Sequence, residues 1–429
     1  MKVSVLTFGC KVNQYESEAI MEKLKFRGFT ISDDYKLSDI VIFNSCTVTA
    51  ESERKICQMI RRVKRENSGC ITVLTGCIPQ AFPSELKKFD DIDIIIGNSN
   101  KPEIVEIIEN FILKKNKIID VPEYKNENLL NKLSISKFGS HSRAFVKIED
   151  GCNRFCSYCI IPYSRGRVKS KSLSDIKEEV SRLAMNGYKE VVLVGINLSC
   201  YGTDIGANLC DAVELVGEID GVERIRLGSL EPELLNLDTI KRLSKQTKLC
   251  PQFHLSLQSG CDKTLKNMRR QYTCSEYKKI VDNIKNNFNN ATFTTDVMVG
   301  FPGETEEDFN KSMEFVKEVG FLKVHVFPYS VRPGTLAAKF ENQVSSEEKS
   351  SRARRMLKVC KETASDVMKS NLGNVEKVLY EKRLENNVYE GYTENYIFVR
   401  SESSVDVKGK ALNTLLKDMS NDVCIGEIV

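Results

Sequence analysis

At 429 residues, with 41% hydrophobic and 28% charged side chains, the chain is long enough for two or three domains with substantial cores. A net charge of only +4 excludes a global basic field, so any nucleic-acid surface has to be local. Its 15 cysteines, with no leader pattern and no membrane-length apolar run, argue against a disulfide scaffold and for metal ligation in a reducing, cytoplasmic setting with no membrane partner. In chain order, residues 3–7, 40–43, 71–74 and 92–96 read as short buried strands. Helix patterns follow them: one with Ala19, Ile20, Met21 and Leu24 on its apolar side and Gly28 at its close, one over 50–66, and one over 102–113 opened by Pro102. This alternation predicts a small doubly wound parallel α/β sheet.

Cys10, Cys46 and Cys77 each fall just past the carboxyl end of a predicted strand. Open α/β sheets gather their sites along that edge, so the three thiols are expected to converge. A three-thiolate site is the functional reading; strand ends that merely tolerate cysteine are the plain one. Cys57, inside a helix, and Cys70, before a strand, lie outside the pattern. Residues 114–142 are charged and asparagine-rich and read as a linker or β-ribbon connection in which His141 is solvated.

Directly after the strand at 144–149 comes Cys152-Asn153-Arg154-Phe155-Cys156-Ser157-Tyr158-Cys159. Three thiols spaced C-x3-C-x2-C on one loop can hold three corners of a [4Fe–4S] cubane, leaving one iron open to an outside ligand. Zinc sites more often use two pairs of ligands. Further strands are expected at 190–196, 224–228, 252–258, 292–299 and 322–327, with helices between, the first from near Ser172 to Gly187. Six β-α units are too few for a closed eightfold barrel, so a partial (βα)6 barrel is expected. Phe253, Leu255 and Leu257 alternate with Gln252, His254, Ser256 and Gln258; the polar set, with Arg226, Asp296 and His325, would line the lumen as a wet pocket or as a self-satisfied polar network. Basic residues cluster at 54–65, 165–171, 269–270 and 352–361. Only 165–171 is taken as a polyanion track, because it adjoins the cysteine loop. Strands at 375–381, 388–392, 397–400, 405–407 and 423–429 suggest a small terminal β-barrel, and residues 371–429 carry seven Lys or Arg against ten Asp or Glu, a net of −3.

These segments resemble a known family. The stretch CNRFCSYCIIPYSRG at 152–166 is similar to the cluster loop of radical S-adenosylmethionine (SAM) enzymes, and its second half to that of the methylthiotransferases. TFGCKVNQYES at 7–17, NSCTVT at 44–49 and Thr75-Gly76-Cys77 resemble the three ligand segments of the methylthiotransferase amino-terminal domain. YSVRPGTLAA at 329–338 resembles another family segment, with valine and leucine at two positions usually proline. EGYTENYIFV at 390–399 resembles the TRAM domain, an OB-like RNA-binding module.

The resemblance implies an α/β architecture in four parts: a methylthiotransferase domain at 1–115, a linker at 116–142, a radical SAM core at 143–368 and a TRAM barrel at 369–429. It implies two [4Fe–4S] clusters, one on Cys152, Cys156 and Cys159 and an auxiliary one on Cys10, Cys46 and Cys77. SAM would serve as methyl donor and, cleaved to a 5′-deoxyadenosyl radical, as radical source. Tyr158, Gly195, Ser256, Gln258 and Asp296 are the expected SAM contacts; Arg165, Arg167, Tyr392 and Tyr396 are the expected tRNA contacts. The implied reaction replaces an unactivated C–H by C–SCH3, which acid–base chemistry cannot reach. The partners would be tRNA and an electron donor such as flavodoxin or ferredoxin. GCKVNQYES at 9–17 and CNRFCSYCIIPYSRG at 152–166 look most like the type acting at C2 of N6-threonylcarbamoyladenosine at tRNA position 37, and Lys11-Val12-Asn13-Gln14 departs from the other types. The isopentenyladenosine-tRNA type and the ribosomal-protein aspartate type are the alternatives. A non-catalytic, metal-bound RNA-binding or redox-sensing protein is the reading from another class.

Overall fold

A computed structural model of the protein describes residues 1–123, 130, 133–139 and 142–429. The expectation for His141 lies outside the described residues, as does part of the expected linker. The amino-terminal sheet is built from β1 (Lys2–Thr7), β2 (Thr30–Ile31), β3 (Ile40–Ser45), β4 (Ile71–Gly76), β5 (Ile94–Ile96) and β6 (Ile118–Asp120). All pairings are parallel, in the order β2-β1-β3-β4-β5-β6. Helices α1 (Lys11–Phe26), α2 (Ala50–Glu66), α3 (Cys77–Ala81) and α4 (Ile104–Lys114) cover it. Val3, Ile42, Val73 and Ile94 pack under α1 and α4 on one face, while Val41, Phe43 and Leu74 pack with Ile56 and Ile60 of α2 on the other. A sheet buried on both faces reads as unbroken aliphatic runs, which is how β3 and β5 are written.

The central strands are β7 (Arg143–Lys147), β10 (Glu190–Val194), β11 (Arg224–Leu227), β12 (Ser229–Leu230), β13 (Gln252–Leu255), β14 (Thr292–Val299) and β15 (Lys323–Pro328); a short antiparallel pair, β8 (Glu149–Asp150) with β9 (Lys169–Ser170), braces the base of the cysteine loop. The barrel strands pair in parallel as β11-β10-β7 and β12-β13-β14-β15, with Gly228 interrupting what is one strand position. Six positions thus form a partial barrel, and β7 and β15 stand as its free edges among the described residues. Helices α5 (Ile161–Arg165), α6 (Leu173–Met185), α7 (Leu209–Gly217), α8 (Leu237–Ser244), α9 (Asp262–Asn267), α10 (Cys274–Asn287) and α11 (Glu306–Val319) connect the strands, and α12 (Ser346–Lys369) leads out. Five strands close the terminal barrel in the order β16 (Val375–Arg383), β17 (Val388–Tyr392), β18 (Phe398–Glu402), β20 (Val423–Ile428) and β19 (Ala411–Ser420).

Three details differ from the sequence reading. The segment assigned to the linker contributes β6, which pairs with β5, so the first unit's sheet runs on to Asp120. No strand forms at 405–407; Ser403 and Asp406 side chains accept from the backbone there and turn the chain. The strand instead is β19, whose sequence lacks alternation and which owes its extension to partners on both sides, β16 and β20.

Candidate active site

Cys10 caps the amino end of α1, Cys46 follows β3, and Cys77 opens α3 immediately after β4. The parallel register between β1 and β3 and between β3 and β4 brings the three strand ends side by side. Gly9 makes the close approach possible. Its φ is +105°, and a Cβ there would lie 2.9 Å from Cys46 Sγ. Burial pushes the Cys46 thiol up to about 12, with Cys77 and Cys10 near enough to add to the shift. Asn98 Nδ2 lies 3.9 Å from Cys77 Sγ as a donor.

Cys152, Cys156 and Cys159 occupy the loop between β8 and α5 and are partly screened from solvent, whereas in the first trio Cys10 is exposed and Cys46 and Cys77 are buried. Burial pushes Cys152 up to about 11 and raises Cys159 further, and each thiol feels Cys156. The sulfurs are ringed by donors. The Arg154 backbone N–H lies 3.4 Å and Asn197 Nδ2 3.7 Å from Cys152 Sγ, and Arg270 Nη1 lies 3.6 Å from Cys156 Sγ. Such donors are what a cluster's thiolate ligands require. All the described cysteines are free. No three of the described Cys, His, Asp or Glu side chains converge as a ligand set for a single metal ion. A cubane makes a different demand, because each thiolate binds its own iron, and two free trios at loop ends fit that demand.

One buried network links the loops that carry the two trios. Asn98 Nδ2 also donates to Ser164 O (2.6 Å), joining the Cys77 strand end to the helix after Cys159. Arg165, only 2% exposed, reaches Glu16 Oε1 at 2.7 Å and Asp150 Oδ2 at 3.0 Å and donates to Asn13 Oδ1, three residues from Cys10. Lys147 bonds Glu16 (2.9 Å) and Asp150 (3.0 Å), and Lys101 ion-pairs with Glu16. This corrects one expected tRNA contact: Arg165 is an internal cation with its charge spent on two carboxylates. Lys171 is buried as well, against Glu179 and Tyr15. Of that basic segment, Arg167 is exposed, its guanidinium 4.6 Å from the Phe155 ring, and Lys169 partly so.

Of the expected SAM contacts, Gly195, Ser256 and Gln258 follow strand ends, Tyr158 lies on the cysteine loop and Asp296 lies inside β14. Tyr158 packs edge-on to Phe301, centroids 6.4 Å apart, in a cluster with Met268 and Tyr329. Gly195 admits the Glu149 carboxylate: a Cβ there would sit 2.4 Å from Glu149 Oε2, which accepts from the Asn197 backbone N–H at 2.7 Å. Burial holds the Glu149 carboxyl well above the ordinary range. Gln258, at φ +64°, extends β13 by bonding Asp296 O and receiving Met298 N–H, both at 2.8 Å. The Ser256 carbonyl accepts from Tyr272 Oη at 2.7 Å, and Asp296 Oδ2 lies 3.4 Å from His254 Nε2. Arg270 stands out in the sequence only as half of a basic pair, not as a site residue, yet it touches Cys156 and ion-pairs with half-buried Glu231. The basic pair gives no hint of this role, since the partners come from two other loops.

Below these strand ends, toward the amino ends of β7, β13 and β15, lies a chamber of about 570 Å3. Phe145, Val192 and Leu227 form apolar wall, with Gln252, His254, Thr294 and His325 as the polar lumen face. Lys11 enters from α1, whose Val12 packs against Val192 and Val194. The terminal barrel supplies Glu381, Lys382, Tyr396 and Lys408. Tyr392 and Tyr396 stack on each other at 4.5 Å, with Arg143 over both and Arg226 over Tyr396. The two rings knit the terminal barrel to β7 and β11, and Tyr396 alone of the pair lines the chamber. Among the described residues no helix is long and apolar enough to cross a membrane.

The partial barrel and its cysteine loop define a radical SAM enzyme. Residues 146–316 match the Radical SAM superfamily, and residues 2–97 match a family described as Uncharacterized protein family UPF0004. A radical SAM methyltransferase, TsrM from Kitasatospora setae, solved with cobalamin and a [4Fe–4S] cluster, shares the fold with a TM-score of 0.56 at 14% identity, over 78% of this chain and 76% of that one. The threonylcarbamoyladenosine tRNA methylthiotransferase MtaB of Aquifex aeolicus is 36% identical over 97% of this chain and 100% of its own length. The Bacillus subtilis protein of the same name is 35% identical over 95% of this chain and 92% of its own. The tRNA-2-methylthio-N(6)-dimethylallyladenosine synthase of Clostridium botulinum strain Loch Maree is 36% identical over 98% and 95%. The chain belongs to the radical SAM tRNA methylthiotransferase family; it is an enzyme that uses SAM and a [4Fe–4S] cluster to methylthiolate tRNA.

Proposed function

We propose that the protein installs a methylthio group at C2 of N6-threonylcarbamoyladenosine at position 37 of tRNA. The observation that carries the choice of nucleoside is the activity named for relatives at 36%, 38% and 35% identity over more than nine-tenths of this chain. The relative at 36% identity named for dimethylallyladenosine supports the second reading, the isopentenyl-type nucleoside. In this proposal Cys152, Cys156 and Cys159 hold the SAM-binding cluster, and Cys10, Cys46 and Cys77 hold a second [4Fe–4S] cluster. Each trio would leave one iron free of protein ligands. Bound there, the clusters and SAM would supply the carbon radical, the methyl group and a site for the sulfur to be transferred.

The chain's own residues do the rest. Asn197, the Arg154 N–H and Arg270 orient and polarise the loop sulfurs. Gly195, Ser256, Gln258 and Asp296 shape the SAM subsite at the strand ends, with Tyr158 packed at its rim. The network from Asn13 through Arg165 to Asp150 holds the two loops in register. Units at 1–115, 143–368 and 369–429 would divide the work among sulfur chemistry, radical generation and RNA binding, with 116–142 as linker. Arg167 is the basic residue beside the cysteine loop that remains open to tRNA. A small redox protein, flavodoxin or ferredoxin, would deliver the electron. The test is mass spectrometry of tRNA nucleosides from a deletion strain. Loss of 2-methylthio-N6-threonylcarbamoyladenosine is expected. Its persistence alongside loss of the 2-methylthio isopentenyl nucleoside would hand the assignment to the second reading.

A further inference from the structure

Charge in the lumen chamber is out of balance. Lys11, Lys323, Lys382 and Lys408 line it, and among the described residues none of the four has a carboxylate within ion-pair distance. The nearby acids are already engaged: Glu381 with Arg143 at 2.8 Å, and Glu190 with Arg226 at 2.7 Å and Arg143 at 3.5 Å. Lys11 projects from α1 and Lys323 from the first residue of β15, so both stand at the open seam between β7 and β15. These exposed ammonium groups gather at the mouth of one open pocket, with apolar Phe145, Val192 and Leu227 behind them, and give it a positive lining that favours an anionic group.

We propose that this chamber receives the carboxylate of the N6-threonylcarbamoyl substituent, with Lys11 and Lys323 as its cationic contacts, and so selects that nucleoside over one bearing a dimethylallyl group. The inference rests on the nucleoside assigned above and adds to it the residues that read the substituent. The strand register supports the direction. Ser256 and Gln258 follow the carboxyl end of β13, whereas Gln252, His254, Thr294 and Lys323 share the lower register of their strands and Asp296 pairs with His325 one step above it. On adenine, C2 and the N6 group leave the ring in diverging directions on either side of N1. A base that offers C2 to the carboxyl ends therefore directs its N6 substituent elsewhere in the lumen. A carboxylate there gains charge-assisted hydrogen bonds, whereas a dimethylallyl group offers the lysines no acceptor.

The test uses anaerobically reconstituted full-length protein and three anticodon stem-loop RNAs identical except at position 37. One carries threonylcarbamoyladenosine, one its methyl ester and one dimethylallyladenosine. Fluorescence anisotropy should show the acid bound at least tenfold more tightly than the ester, about 1.4 kcal/mol. Lys323→Met should shrink that ratio toward one, and Lys323→Arg should keep it. Equal binding of acid and ester by the wild-type protein overturns the inference without needing any variant. Equal weakening of both RNAs by Lys323→Met would give the lysine to a backbone phosphate and overturns it too. Tightest binding of the dimethylallyl RNA would instead sink the nucleoside assignment itself, an outcome distinct from equal binding of acid and ester.

Discussion

Glu16→Gln is the sharpest probe of the network between the two cysteine trios. Glu16 is 2% exposed and faces Lys101, Lys147 and Arg165, while Asp150 faces Lys147 and Arg165. Three cations against two carboxylates give the buried group a net charge of +1, and the substitution raises it to +2. Removing one partner from a buried ion pair costs about 3–5 kcal/mol, because the opposing charges stay desolvated. At about 2–4 °C per kcal/mol for a domain of roughly 150–250 residues, the local transition should fall by roughly 6–20 °C. A chain with several cores does not unfold in one step, so the assay is hydrogen exchange read at α1 and α5, beside the denaturation curve. Lys101→Met introduced with Glu16→Gln returns the net charge to +1. The pair should therefore cost less than the sum of the singles, by about 0.5–3 kcal/mol. A single Glu16→Gln variant within about 0.5 kcal/mol of wild type would refute the reasoning, as would strict additivity of the two substitutions.

Acid titration of the same network has a definite sign. Burial alone would raise the Glu16 carboxyl, but Arg165, Lys101 and Lys147 together hold it well below the ordinary value of 4.5. Its stabilisation is therefore fully present above that value and lost as pH falls below it through the folded-state value, so the stability gap between wild type and Glu16→Gln should stay constant above pH 4.5 and narrow below it. Replacing Cys10, Cys46 and Cys77 together by alanine should halve the iron bound on anaerobic reconstitution while 5′-deoxyadenosine still forms from SAM; undiminished iron would remove the second cluster from the proposal. Arg270→Met strips a donor from Cys156 Sγ and leaves half-buried Glu231 without its cation. The cluster potential should shift to more negative values, measured by redox titration with electron paramagnetic resonance, and stability should drop by about 1–3 kcal/mol. An unchanged potential would mean that the guanidinium does not sense the cluster.

What the chain discloses in one dimension is the part of its physics that is local. Cys10, Cys46 and Cys77 could be placed together because each follows an aliphatic strand, and parallel strands align their carboxyl ends. The alternation through Gln252, Phe253, His254 and Leu255 likewise separates lumen from helix-facing side chains, and the structure puts Gln252 and His254 in the chamber with Phe253 and Leu255 in the core. Arg165 fails that logic. Basic neighbours and a nearby motif mark it as a surface cation, but the partners that define it, Glu16 and Asn13, lie 149 and 152 residues away in sequence. Strand β6 was hidden for a related reason: three residues, Ile118–Asp120, carry too little pattern to be seen without β5 beside them. Lys11 and Lys323 show the limit most clearly: Lys323 reads as an ordinary polar residue at the start of its strand, and Lys11 is marked only as part of a family-like stretch, not as a chamber cation. Their unpaired charges become chemically informative only when α1 of the first unit and β15 of the second close on the same space, and a site assembled from three units is where a substrate's distinguishing group can be read while its reacting carbon is held elsewhere.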